Sequence, residues 1–196
     1  THMNQFSTSD NGCSSALAPG LSCTVRASFV PTALGAKTAN LNIMATPGGA
    51  PAAALDGNGV APGLLAFSPT SYTFPSTLVT TQSATQMFTL SNGGGAATGT
   101  IMTSITGTQA NQFTIVTDGC NGMTLPAAGS CNIVARFAPS SSGAKSASLS
   151  ATASPGGTIN STLNGTGLTQ AVLSLSPPSQ GFGNVPIGSS SAPITF

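Results

Sequence analysis

Charged residues are scarce in this sequence. Its 196 residues include only four lysines and arginines and three acidic residues, a charged fraction of 4%, against about 25% in an ordinary globular domain. So few basic residues cannot form the positive surface with which proteins bind nucleic acid. A surface made of Ser, Thr, Asn, Gln and Gly also lacks the charge repulsion that keeps molecules apart. The composition therefore predicts no nucleic-acid partner and a tendency to associate.

The side chains that build catalytic and metal sites are equally few. Tryptophan is absent, and there is one tyrosine, Tyr72, and one histidine, His2. A Ser-His-Asp triad would have to use His2. The acids Asp10, Asp56 and Asp118 show neither the paired carboxylates of a glycosidase nor the D-x-D spacing of a calcium loop. We therefore expect no catalytic residue, no cofactor and no metal ion, and we expect that the protein is not an enzyme.

Long apolar runs are missing as well. The sequence has no stretch of about 18 consecutive apolar residues, so it predicts no transmembrane helix. The hydrophobic fraction of 39% is nevertheless sufficient for a packed core. Because disordered chains combine low hydrophobicity with high net charge, this composition predicts a folded chain.

What the sequence does contain is an internal repeat. The stretch 4–35, NQFSTSDNGCSSALAPGLSCTVRASFVPTALG, returns at 111–143 as NQFTIVTDGCNGMTLPAAGSCNIVARFAPSSSG. The spacing is 107 residues up to the cysteines Cys13 and Cys120, and 108 residues from the following cysteines onwards. A repeat of this length is a complete domain rather than a solenoid unit. We predict the last part of one unit at 1–60, a complete unit at 61–168 and the first strands of a third unit at 169–196.

Each unit is predicted to be all-β. Short runs of alternating apolar residues are separated by turn signals, and no stretch shows the 3.6-residue period of a helix. This pattern favours a sandwich of two sheets. The predicted strands of the complete unit are 64–67, 72–74, 82–90, 98–105, 112–116, 131–137, 144–151 and 158–163.

The clearest predicted strand is 131–137. Because successive side chains of a strand point to opposite faces, Asn132 and Arg136 are expected on the outer face. The residues predicted to point inward are Cys131, Ile133, Ala135 and Phe137. The inward residues of the twin strand would be Cys23, Val25, Ala27 and Phe29.

The four cysteines are the one chemical signal. Each pair, Cys13 with Cys23 and Cys120 with Cys131, brackets a loop that contains Gly and Pro between two strands. This spacing favours a structural disulfide within each unit. The alternatives are a redox-active pair and a metal site, although a metal site needs more ligands than two thiolates. Structural disulfides would place the protein in an oxidising compartment outside the cytoplasm.

Two lysines, Lys37 and Lys145, occupy equivalent positions after a Gly-Ala corner. We expect solvated lysines that deter pairing at a sheet edge. The alternative is a lysine–asparagine crosslink, which would need a buried acid that the two units do not share.

Three motifs carry a family resemblance: FGNVPIG at 182–188, SCNIVARFAP at 130–139 and LNGTG at 163–167. Together they resemble the bacterial choice-of-anchor D repeats, relatives of the Hydin-type and major-sperm-protein immunoglobulin-like domains, over nearly the whole chain. The resemblance implies tandem immunoglobulin-like sandwiches in large secreted or surface proteins, without catalytic residues. The middle unit departs from the first motif, because Phe74–Thr80 (FPSTLVT) lacks both glycines.

We therefore expect a structural protein that builds a fibre, stalk or sheath from head-to-tail immunoglobulin-like domains, in the extracellular space or on the cell surface of a bacterium. Its partners would be other copies or neighbouring repeats of the same protein. Residues 169–196 would be completed either by a continuous longer chain or by strand complementation between copies. The apolar residues expected in such contacts are Leu173, Leu175, Phe182, Ile187 and Phe196. The alternative function is a surface adhesin or a carbohydrate-binding accessory module, which an aromatic platform would favour.

Overall fold

The computed structural model describes residues 2–196; Thr1, the first residue of the predicted range 1–60, lies outside them. None of the residues 2–196 lies in an α-helix, so the prediction of an all-β chain is confirmed. The strands are β1 (Phe6–Ser9), β2 (Arg26–Phe29), β3 (Gly35–Asn42), β4 (Ala52–Gly59), β5 (Leu65–Ser68), β6 (Ser71–Thr73), β7 (Thr77–Leu78), β8 (Gln86–Asn92), β9 (Met102–Thr106), β10 (Phe113–Asp118), β11 (Ser130–Phe137), β12 (Gly143–Ala153) and β13 (Gly157–Leu168). Short 3-10 turns at Met3–Gln5 and Ala110–Gln112 precede β1 and β10.

Strands β5–β13 form a sandwich of two sheets. The first sheet has the order β10-β11-β8-β5, and the second has the order β6-β13-β12-β9 with β7 beside β13. All pairs are antiparallel except those of β6 and β7 with β13, which are parallel. The largest fully buried apolar side chains between the sheets are Phe74, Phe88, Leu90, Ile101, Ile133, Phe137, Leu149 and Leu163.

Strand β11 shows how the sequence pattern positions this core. Ile133, Ala135 and Phe137 are buried, whereas Asn132 is exposed and Arg136 is half-buried. The period of two that places alternate residues on one face is therefore confirmed in this strand. Strand β11 pairs with β8 on one side and with β10 on the other, so it is central in its sheet.

Two predicted strands begin later than expected. The run 82–90 becomes β8 only at Gln86, because Ser83 makes its own bonds to the end of β11: its amide donates to the Phe137 carbonyl over 2.9 Å, and its hydroxyl accepts from the Phe137 amide over 3.0 Å. The run 98–105 becomes β9 only at Met102. Thr98 instead exchanges hydrogen bonds with Leu125 in the cysteine loop, through its amide and its hydroxyl, both over 2.9 Å.

Residues 2–59 form two hairpins, β1–β2 and β3–β4. The register of β3–β4 is that of β12–β13, and the register of β1–β2 is that of β10–β11 as far as the bulge after Ile115. Gly35 lies opposite Gly59 in β3–β4, and Gly143 lies opposite Gly167 in β12–β13. Residues 2–59 contain no counterparts of the strands β5–β9, so each of the two hairpins is a sheet of only two strands.

The smaller sheets leave their apolar face open. Val25 and Phe29 of the segment around β2 are half-buried, and Ala27 is exposed. The prediction that these residues are buried like their counterparts in β11 is therefore wrong for this chain. An inward-facing side chain becomes buried only when strands lie opposite and beside it, and residues 2–59 supply half of those strands.

Lys37 also differs from the prediction. Its side chain is 7% exposed rather than solvated, and its Nζ donates to the Leu34 carbonyl over 2.6 Å. Lys145 is half-buried and donates in the same way to the Ser142 carbonyl over 2.8 Å. Because a buried ammonium group needs hydrogen-bond acceptors in place of water, both lysines serve the turn that precedes their strand.

The loop that lacks the family glycines nevertheless keeps the backbone geometry of the second one. Thr80 has a φ of 67°, in the left-handed region that a β-branched residue rarely adopts. Its counterpart in the tail is Gly188, with a φ of 85°. The Thr80 amide donates to the Pro139 carbonyl over 2.9 Å, which ties this turn to the corner after β11.

Candidate interaction surface

Three phenylalanines form the centre of the sandwich. The ring centroids of Phe113 and Phe137 are 5.1 Å apart, and the ring of Phe74 lies 5.9 Å from the first and 6.4 Å from the second. The Phe137 ring packs directly on the backbone of Gly165, where an added Cβ would approach it to 2.8 Å. The glycine of the closing motif is therefore required by this aromatic contact. The only tyrosine, Tyr72, packs edge-on to Phe74 at 4.9 Å.

Residues 2–59 reproduce two of these three rings. Phe6 and Phe29 have centroids 5.0 Å apart, and Phe29 packs on Gly57, where an added Cβ would again approach the ring to 2.8 Å. No aromatic residue within 2–59 stands at the position that Phe74 has in the sandwich. A cavity of about 330 Å³ lies there instead, between the two hairpins, and its lining includes Phe6, Phe29, Ala54, Leu55 and Asp56.

A buried glutamine holds the corner beside each phenylalanine pair. Gln112 accepts a hydrogen bond from the Ser140 amide and donates one to the Ser140 hydroxyl, both over 2.8 Å. Gln5 makes the same two bonds to Thr32, both over 2.6 Å. These glutamines tie the start of β1 or β10 to the corner after β2 or β11. This role of the glutamines was not predicted from the sequence, although the repeated Asn-Gln-Phe motif could have indicated it.

Each pair of cysteines forms a disulfide within its own unit. Cys13 is bonded to Cys23 with the Cα atoms 5.2 Å apart, and Cys120 is bonded to Cys131 with the Cα atoms 5.4 Å apart. Two disulfides are typical of a protein in an oxidising environment. For the alternative of a metal site, residues 2–196 supply no further ligand, because they contain no cluster of His, Cys, Asp or Glu that could hold a metal ion.

The two disulfide loops have different surroundings. In the sandwich, Cys120 is fully buried, and the loop is hydrogen-bonded to the segment before β9: the Ile101 amide donates to the Met123 carbonyl over 2.8 Å. Residues 14–22 of the first loop are all exposed. The first loop therefore lacks the neighbouring segment that covers the second one.

Loss of the Cys120–Cys131 bridge is expected to lower the free energy of unfolding of the sandwich by about 2.5–3 kcal/mol, the value of the chain-entropy model for a loop of this size. The measurement is urea unfolding of the Cys120→Ala/Cys131→Ala variant, followed by the fluorescence of Tyr72, which lies inside the sandwich. The Cys13→Ala/Cys23→Ala variant is the control, because its loop does not contact the sandwich core. Equal losses in the two variants would contradict the prediction.

The tail, residues 169–196, contains no strand in this chain and exposes large apolar side chains. Leu173 is 98% exposed, whereas its counterpart one repeat earlier, Leu65, is 4% exposed. Phe182 is 54% exposed, whereas its counterpart Phe74 is 2% exposed. The other tail residues predicted to make contacts are exposed as well: Leu175, Ile187 and Phe196.

Polar chemistry is sparse around these surfaces. The ion pair between Asp10 and Arg26 spans 3.7 Å, and both side chains are largely exposed, so it adds little to stability.

Among residues 2–196 there is no helix with the length and apolar character that crossing a membrane requires. The arrangement of open strand edges and apolar side chains is suited to binding another β-strand rather than a small polar molecule.

No protein-family model and no curated protein matches this chain. Among solved structures, it is similar to the ASH/PapD-like domain 7 of human CEP192, with 16% identity and a TM-score of 0.39 over 55% of this chain and 87% of that one. It is similar to the secreted serine protease VesC from Vibrio cholerae, with 21% identity and a TM-score of 0.37 over 50% of this chain and 22% of that one. A Porphyromonas gingivalis W83 protein of unknown function shows 11% identity and a TM-score of 0.42 over 82% of this chain and 84% of that one. Similarities at this level assign neither a family nor an activity.

Proposed function

We propose that this chain is a structural module of an extracellular fibre, stalk or sheath, in which immunoglobulin-like units join head to tail. The observation that carries this proposal is the tail, in which four apolar side chains are exposed although their counterparts in the sandwich are buried. These are Leu173, Leu175, Phe182 and Phe196, with the counterparts Leu65, Phe67, Phe74 and Phe88. Exposed apolar groups of this kind mark interaction sites. The interaction they favour is with a β-sheet that lacks the strands the tail can supply.

The two open hairpins are the complementary surface. In the sandwich, β11 pairs on both sides, with β10 and β8, whereas β2 pairs only with β1. Likewise β13 pairs with β12, β6 and β7, whereas β4 pairs only with β3. An unpaired strand edge presents free amide and carbonyl groups to another strand. Because the tail and the hairpins are different surfaces, their contact is heterologous, and it propagates in one direction rather than closing as a dimer.

Composition and disulfides support the same role. A charged fraction of 4% leaves little electrostatic repulsion between copies. The two disulfides stabilise a protein that has to persist outside the reducing cytoplasm. The proposed role requires no catalytic group, cofactor or metal ion, and it places the protein outside the cell or on its surface.

The alternative role as an adhesin or carbohydrate-binding module would use exposed aromatic rings on which sugars stack. Tyr72 is half-buried and packs on Phe74 and Phe88, at 4.9 and 6.4 Å between centroids. Tryptophan is absent from the sequence. These observations favour the structural role over the carbohydrate-binding one.

The proposal is tested by electron microscopy and sedimentation velocity of the full chain, in a buffer without added oxidant or reductant. We expect linear particles whose mean length grows with protein concentration. Because the contacts are apolar and backbone-mediated, assembly should change little between low and high salt. Single particles of one chain at every concentration, or closed dimers, would contradict the proposed function.

A further inference from the structure

The cavity beside Phe6 and Phe29 corresponds in the repeat to the place of one side chain of the sandwich. Phe74 occupies the equivalent place in the sandwich, and its amide donates to the Asn164 carbonyl over 2.8 Å. The counterpart of Phe74 one repeat later is Phe182 in the tail. The counterpart of Asn164 one repeat earlier is Asp56 in β4. Asp56 lines the cavity beside Phe6 and Phe29.

We infer that residues 169–196 of a second copy of this chain complete the two hairpins of residues 2–59, with Phe182 seated in the cavity beside Phe6 and Phe29. The inference rests on the proposed head-to-tail function. It identifies the contact between copies, called the joint below, as residues 169–196 of one copy against residues 2–59 of the next. Phe182 would restore the three-ring cluster that Phe74, Phe113 and Phe137 form in the sandwich. Its amide would donate to the carbonyl of Asp56.

The pairing within the sandwich sets the register of this joint in the second sheet. There, Ser71 of β6 lies opposite Thr162 of β13 in a parallel pair. Their counterparts are Ser179 in the tail and Ala54 in β4, both exposed in the single chain. The tail would therefore run parallel to β4, with Ser179 of one copy opposite Ala54 of the other.

The first sheet gives a second, independent register. Met87 of β8 lies opposite Val134 of β11, and Phe88 lies opposite Ile133. The counterpart pairs are Thr195 with Arg26 and Phe196 with Val25. The end of the tail would thus run antiparallel to β2, and Phe196 would lie over Val25, which is half-buried in the single chain.

The joint is large enough for a specific contact. Full burial of a phenylalanine removes roughly 150–250 Å² from water, so the half-exposed Phe182 and Phe196 would together contribute about 200 Å². The three largely exposed aliphatic side chains of the tail would add about 300 Å². With a matching area on the hairpins, the total reaches about 1,000 Å², the lower bound of the size expected of a biological interface. The three aliphatic side chains counted in this area are Leu173, Leu175 and Ile187.

Covalent trapping tests the register directly. Full chains carrying Ala54→Cys are mixed with full chains carrying Ser179→Cys, and the mixture is gently oxidised. All natural cysteines are already bonded, and each copy has one added thiol, so a 54–179 bridge can form only between copies. We expect a crosslinked dimer whose non-reduced peptides join positions 54 and 179. Ala52→Cys, two residues along the same strand, is the register control and should crosslink to Ser179→Cys at least about tenfold more slowly, because paired Cα atoms must lie within about 7 Å.

Assembly of single-site variants tests the cavity. Phe182→Ser should raise the concentration needed for linear assembly by at least about tenfold, as expected for an aromatic anchor at the centre of an interface. Val172→Ser is the matched control: Val172 is also exposed in the tail, but its counterpart Leu64 is exposed in the sandwich too. This control should assemble like the natural chain. Both substitutions are at exposed sites, so the unfolding midpoint reported by Tyr72 should not change.

The outcomes separate this inference from the function on which it rests. If the natural chain assembles but Phe182→Ser assembles equally well, or the 52–179 bridge forms as fast as the 54–179 bridge, the joint is elsewhere and the inference is wrong while the proposed function stands. If the natural chain does not assemble at all, the proposed function fails, and the absence of a 54–179 bridge in the mixture of the two cysteine variants overturns the joint with it.

Discussion

Replacement of Phe137 by alanine is expected to lower the free energy of unfolding of the sandwich by about 3–5 kcal/mol, as for other large-to-small substitutions in a closed core. Phe137 is fully buried, and its ring contacts those of Phe74 and Phe113. It also packs on the backbone of Gly165. Since a strand from each sheet borders this site, the surrounding groups cannot close fully around the missing ring. Urea unfolding followed by the fluorescence of Tyr72 measures the loss.

The natural control for this variant is Phe29→Ala. Phe29 has the same place in the repeat and the same glycine beneath its ring, Gly57, but it is half-buried. Its loss should leave the transition reported by Tyr72 unchanged, because Phe29 belongs to the other unit. A loss below about 1 kcal/mol for Phe137→Ala would mean that the buried face of β11 is assigned wrongly.

Replacement of Asn92 by alanine is expected to cost about 3–5 kcal/mol, because buried polar groups that lose their partners each cost about 1–3 kcal/mol. Asn92 is 1% exposed, at the end of β8. Its Oδ1 accepts hydrogen bonds from the amides of Leu64 and Gly94, both over 2.9 Å. Its Nδ2 donates to the carbonyls of Ala96, Leu125 and Pro126, over 2.8–3.1 Å.

The five bonds join three loops at one end of the sandwich, so alanine would leave several backbone groups without partners. Asn132→Ala is the control, because Asn132 lies on the exposed face of β11 and its side chain accepts a single hydrogen bond, from the Thr89 hydroxyl over 2.9 Å. We expect a change within about 0.5 kcal/mol there, as is usual for surface substitutions. If Asn92→Ala unfolds at the same urea concentration as Asn132→Ala, Asn92 does not hold these loops together.

Much of the local structure could be predicted from the sequence. Strand β11 follows from its alternation, because side chains of a strand must point to opposite faces whatever the rest of the chain does. The inward positions of Ile133 and Phe137 depended on that geometry alone. The bracketing of one loop by Cys120 and Cys131 likewise made a bridge within the unit the simplest pairing, because the two thiols start only a short loop apart.

The polar contacts at the ends of the sandwich could not be predicted in this way. Gln112 bonds to Ser140, and Asn92 bonds to groups in three loops. These partners are far apart in the chain, so only the tertiary structure brings them together. The burial of Lys37 was not predicted either, although its acceptor is local: Nζ donates to the carbonyl of Leu34, three residues earlier, which replaces the expected water.

The sequence by itself determined the repeat, the β character and the faces of the strands, because these depend on spacing and on side-chain direction. Which copies of the repeat are buried was decided by the tertiary structure. Phe74 and Phe182 occupy the same place in the repeat, yet one is 2% exposed and the other 54%. Burial of a side chain depends on the strands that lie opposite it, and among the described residues 2–196 only the segment 65–168 supplies both sheets.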